Sequence, residues 1–126
     1  MQTVLAIAAG GALGSVLRHF LNNAVGGAAG TNFPWGIFII NILGSFVMGA
    51  LISFFALVWE PSQSMRAFLT VGILGGFTTF STFSADSILL LERGAFGASA
   101  FYVFGSVGFA LAALYGGMVI VRMLAA

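Results

Sequence analysis

The chain has 126 residues, 60% of them hydrophobic and 6% charged, and its mean hydropathy is +1.13. A soluble domain carries about a quarter charged residues, so a water-soluble globular fold is excluded, and four arginines, no lysine and three acids leave no basic patch for nucleic acid and no charged tail. Without cysteine there is no disulfide or thiolate chemistry, and one histidine with three scattered acids does not furnish a multi-ligand zinc or di-metal site.

Uncharged runs cover residues 1–17, 20–59, 67–85 and 94–121. A spanning helix needs about 20 mostly apolar residues, so the first and third runs supply one helix each. The first predicted helix covers residues 3–21. It is expected to be retained and not cleaved as a signal peptide: no positive region precedes it, and Arg18-His19 follows where small cleavage-site residues would stand. Residues 22–34 (NNAVGGAAGTNFP) cluster Gly, Asn and Pro as loops do. Pro34 suits the first turn of a second helix, predicted over 34–58, with Trp35 and Trp59 at opposite membrane interfaces. After a polar turn at 60–64, a third helix is predicted over 65–91 and a fourth over 96–123. Residues 1–126 therefore read as one all-α transmembrane domain, with no internal repeat.

Four spans put both termini on one side, with Arg66 and Arg122 there and Arg18 and Arg93 on the other. Orientation follows the Lys/Arg difference between loops, and two against two predicts insertion both ways, hence an antiparallel dimer. A single orientation fixed by something other than charge is the alternative. Four thin helices enclose little space, so a pore is expected between subunits. Gly10 with Gly14, Gly72 with Gly76 and Ser45 with Gly49 have the small-xxx-small spacing of close helix contacts.

The third helix carries the unusual chemistry. Gly72, Gly75 and Gly76, followed by hydroxyl residues from Thr78 to Ser84, weaken a helix at mid-membrane. One reading is a broken helix, tolerated where protein or water satisfies the freed backbone groups. Its carbonyls would suit a small cation, and its second half-helix N-terminus an anion. The other reading is a tightly packed Gly-rich helix with self-bonded hydroxyls. Phe80 and Phe83 share a helical face, and ring edges are electropositive. Interleaved with hydroxyl donors, they form a desolvating path for a small anion without a trapping charge. Asn41, deep in the second helix, offers a neutral amide donor or an interhelical bond. Tyr102 and Ser106 fall on one face of the fourth helix. Arg18 is expected to snorkel or line a vestibule near its helix end. Asp86, Glu92 and Arg93 read as solvated or paired, and His19 as interfacial.

The segments GGALGSVLR (10–18), GIFIINILG (36–44), GGFTTFSTFS (75–84) and LERG (91–94) resemble the Fluc-type, CrcB-like fluoride channels in order and spacing over nearly the whole chain. GGFTTFSTFS is the specific one. The resemblance implies a four-helix protein with a broken third helix, assembled as a dual-topology homodimer in the bacterial inner membrane. Each dimer would hold two fluoride pores. It implies that Phe80 and Phe83 are pore phenylalanines and Asn41 the pore asparagine. Ser81, Thr82 and Ser84 would lie near the ion path, with Tyr102 and Ser106 beginning a fourth-helix polar track. It also implies a structural Na⁺ held by the Gly75 and Thr78 carbonyls of both chains. Ile37, Ala110 and Leu114 depart from the family pattern, which often has hydroxyl residues there.

Two competing readings are weaker. A proton-coupled cation exporter needs a membrane-embedded acid, and the first two helices contain none. A purely structural subunit leaves Asn41 and the hydroxyl–Phe run without a purpose. No nucleophile–base pair supports an enzyme.

Overall fold

Apolar runs in a bilayer must satisfy their own backbone, and these do so as helices. The computed structural model describes residues 1–29 and 32–126. Its elements are α1 (Gln2–Ala29), α2 (Trp35–Leu57), α3 (residues 63–77), α4 (Phe80–Glu92) and α5 (Phe96–Ala125). Four segments are long and apolar enough to cross a membrane, the third being α3 and α4 together over Gln63–Glu92. No strand occurs among the described residues.

Three predicted helices agree with the structure to within about two residues. The first does not: α1 continues past residue 21 to Ala29. Asn and Gly are weak helix formers, but nothing there forbids a helix before Pro34. Asn23 also turns its amide back toward His19 Nε2 at 3.3 Å, one turn earlier. Most of the loop expected over 22–34 is therefore helical, and its residues 30 and 31 lie outside the described residues.

The helices pair through their small residues. α1 runs beside α3, where a Cβ on Gly10 would lie 2.5 Å from the Phe68 carbonyl oxygen and 3.0 Å from Gly72 Cα. α2 runs beside α5, and a Cβ on Gly49 would overlap the Leu114 backbone. Side-chain-free contact lets the backbones approach closely where lipid supplies no hydrophobic drive. Between α2, α4 and α5 lies a buried cluster of Ile37, Phe38, Ile40, Phe83, Leu90 and Tyr102.

The third span is irregular twice. Ser62 caps α3, its hydroxyl accepting from Met65 N at 3.2 Å. Over Phe68–Leu74 the helix widens to π geometry, centred where Gly72 meets Gly10. Such widening often marks functional sites, and the sequence did not signal it. Then Thr78 (φ −83°, ψ 160°) and Thr79 (φ −152°, ψ 123°) are fully extended, and α4 begins anew at Phe80. Of the two readings left open by the Gly-rich run, the broken helix is the one adopted.

Candidate functional site

A helix break in a membrane exposes peptide groups that must find partners, each costing several kcal/mol if it does not. Here side chains from two other helices supply them. Thr79 N–H donates to Asn41 Oδ1 at 2.9 Å, and Asn41 Nδ2 donates to the Thr79 carbonyl at 3.2 Å. Arg18 Nη1 donates to the Thr78 carbonyl at 3.3 Å. Thr78 bonds back to the Leu74 carbonyl through both its N–H (3.0 Å) and its hydroxyl (2.9 Å). Thr79 caps α4, its hydroxyl accepting from Thr82 N at 3.2 Å.

Arg18 therefore differs from its expected position. It does not end α1, which continues to Ala29, and its guanidinium turns to the break. One of the four arginines in the two-against-two orientation count is thus directed into the bundle.

Beside the break lies an open cavity of about 270 Å³, lined by Asn41, Ser45, Thr78, Thr79, Phe80, Phe83, Ser106, Val107 and Ala110. It brings together five site candidates from the sequence: Asn41, Thr78, Phe80, Phe83 and Ser106. None of its lining residues carries a formal charge. The Phe80 and Phe83 rings sit 5.4 Å apart, with Phe80 77% exposed and Phe83 buried. Ser106 is buried and its hydroxyl makes no hydrogen bond among the described residues.

The remaining pore candidates, Tyr102, Ser81, Thr82 and Ser84, stand around this cavity and do not line it. Tyr102 is fully buried behind Phe83, ring centroids 5.2 Å apart, and its hydroxyl donates to Asp86 Oδ2 at 3.1 Å. Ser81 lies 3.4 Å from the Thr79 hydroxyl, and Ser84 donates to the Phe80 carbonyl at 3.0 Å. Thr82 meets the break through its backbone N–H. Asp86 and Arg93 line a second cavity of about 360 Å³, where Arg93 donates to the Asn32 carbonyl at 2.8 Å. Asp86 is thus hydrogen-bonded to Tyr102 and Arg93 to backbone, and no ion pair joins Asp86, Glu92 and Arg93 among the described residues.

Sequence reasoning missed Ser45 and Thr79 as cavity residues. The signal for Ser45 was available, since it stands four residues after Asn41 and so shares its helical face. The departures also fall in telling places. Ala110 lines the cavity with no donor, Leu114 lines a smaller cavity of about 140 Å³ with Gly75 and Thr78, and Ile37 is core.

Gly75 is exposed, and nothing nearer than 3.6 Å would meet a Cβ there. Thr78 O keeps a second lone pair beside its bond from Arg18. Two neutral oxygens suit a hard monovalent cation in kind but not in number, so one chain alone offers an incomplete donor set.

These features define a small multi-pass integral membrane protein with its polar groups gathered at a broken span. The chain belongs to the CrcB-like family: the family model for CrcB-like protein, Camphor Resistance (CrcB), matches residues 5–118. It is 48% identical over 122 residues to a protein of Rhodospirillum centenum named fluoride-specific ion channel FluC, covering 97% of each chain. A Rhodopseudomonas palustris protein of the same name is 50% identical over 121 residues, covering 96% of this chain and 98% of its own. One from Agrobacterium fabrum is 46% identical over 124 residues, covering 98% and 99%. The family is one of ion channels, and the chain is not an enzyme.

Proposed function

We propose that this protein conducts fluoride passively across the bacterial inner membrane, lowering cytoplasmic fluoride. The observation that carries the reading is the uncharged cavity joining Asn41, Phe80, Phe83 and Ser106 at the helix break. The relatives' shared name points to the same ion. A small anion entering there exchanges water for an amide N–H, ring edges and hydroxyls in turn. The N-terminus of α4 lends its partial positive charge. Neutral donors bind weakly enough for the ion to leave again. Ser81, Thr82 and Ser84 flank the path on the first turns of α4, and Tyr102 backs Phe83. Arg18, with its charge at the break, raises local anion concentration while holding the Thr78 carbonyl.

The functional unit is an antiparallel homodimer with two pores. Support comes from the cavity being open and from Phe80 being exposed beside polar groups that lipid cannot satisfy. A second copy turned over would cover both and double the carbonyl set at Gly75 and Thr78. Those oxygens would then hold a structural Na⁺, which supplies positive charge at the centre of the assembly.

Reconstitution of the purified chain into fluoride-loaded liposomes tests the reading. Fluoride efflux on addition of a potassium ionophore, with chloride retained, is the expected result; liposomes that keep their fluoride would refute it.

A further inference from the structure

Hydroxyls in apolar helices commonly donate to the carbonyl one turn back. Thr70, Thr78, Ser84 and Ser87 do so, to the carbonyls of Arg66, Leu74, Phe80 and Phe83. Their protons are therefore committed. The Ser45 hydroxyl makes no hydrogen bond among the described residues. It stands one turn beyond Asn41 on α2 and lines two cavities: the larger one beside Phe80 and Phe83, and the smaller one over Gly75. Thr78 alone shares that double position, and its proton is spent on Leu74.

Asn41 has one of its two N–H groups engaged by the Thr79 carbonyl, so it offers a single donor to the cavity. The α5 wall facing this stretch continues from Ser106 to Val107 and Ala110, which offer none. Of the two residues that line both cavities, Ser45 alone thus keeps an uncommitted side-chain donor for an anion stripped of water beyond Asn41. We propose that Ser45 is a further ion-coordinating residue, its hydroxyl donating to the anion as it moves through the larger cavity past Asn41. The assignment rests on the fluoride-conduction reading above.

The test compares wild type, Ser45→Ala and Ser45→Thr in proteoliposomes, reading fluoride efflux rate and the half-saturating fluoride concentration. A hydrogen bond to an ion contributes enough that Ser45→Ala is expected to slow efflux about tenfold or more and to raise half-saturation. It should still elute as wild type in detergent, while Ser45→Thr keeps the donor and most of the rate. Wild-type efflux in Ser45→Ala would overturn the assignment. So would equal loss in both variants, or loss of assembly in Ser45→Ala, since each makes Ser45 a packing residue. If wild type itself carries no fluoride, the conduction reading falls and this assignment with it.

Discussion

The side-chain amide of Asn41 and the backbone of Thr79 form a reciprocal pair, each donating to the other at 3.2 and 2.9 Å. A carboxamide has the same donor and acceptor as a peptide group, so Asn41 replaces the neighbouring turn that the break removes. Asn41→Ala leaves both Thr79 groups without a partner, at a cost on the order of 2–6 kcal/mol. The midpoint of thermal unfolding in detergent is expected to fall by several degrees and fluoride efflux by at least about tenfold. An unchanged midpoint would show that the pair does not hold the break.

The two phenylalanines should separate function from stability. Phe80 is 77% exposed and Phe83 is packed against Tyr102. Phe80→Ile is expected to slow efflux sharply while costing little packing within its own chain, so its unfolding midpoint should fall less than that of Phe83→Ile. Phe83→Ile should slow efflux and also destabilise the chain by about 1–2 kcal/mol through poorer core packing. Normal efflux in both would rule out a Phe-lined path.

Much of this was legible in the sequence for simple reasons. Charges fall at the ends of apolar runs, so the number of spans follows from arithmetic. The Gly75–Thr79 run is a poor helix, so its break was one of two readings. The end of α1 was misread because Gly and Asn weaken a helix without ending it. The partners of the break were not legible: Arg18 and Asn41 lie 60 and 38 residues away from the backbone atoms they meet. Only the crossing of α1 and α2 over the third span brings them there. The π-wide stretch likewise lies where Gly72 meets Gly10, a contact between residues far apart in the sequence.

That crossing makes a contrast between neighbouring glycines. A Cβ on Gly14 would overlap the Ile73 carbonyl and lie 3.0 Å from Phe77 N, whereas a Cβ on Gly11 would meet nothing within 4 Å among the described residues. Gly14→Ala is expected to destabilise by about 1–3 kcal/mol through forced separation of α1 and α3. Gly11→Ala should be neutral or stabilise by up to about 1 kcal/mol from better helix propensity. Thermal unfolding of the two variants in one detergent decides it, and equal midpoints would count against the close contact.

Tyr102→Phe removes one hydroxyl and keeps the ring behind Phe83. The lost bond to Asp86 is expected to cost about 1 kcal/mol, with efflux reduced less than in Phe83→Ile. Efflux as low as in Phe83→Ile would mean that the hydroxyl, and not the ring, is what the path needs.

Dual insertion is open to a direct measurement. Gln63→Cys and Glu92→Cys place single thiols at exposed positions at opposite ends of the third span. A membrane-impermeant maleimide applied to intact spheroplasts is expected to label roughly half of each variant, the rest reacting only after lysis. Complete labelling of one variant and none of the other would establish a single orientation.

Both side chains that meet the break precede it in the chain. During synthesis α1 and α2 leave the ribosome before Thr78 and Thr79 do, carrying Arg18 and Asn41 into the membrane first. The opened backbone of the third span therefore has its partners waiting on arrival, within its own chain. Each copy can complete its insertion before it ever meets another, and the order of elements along the gene matches the order in which the membrane must receive them.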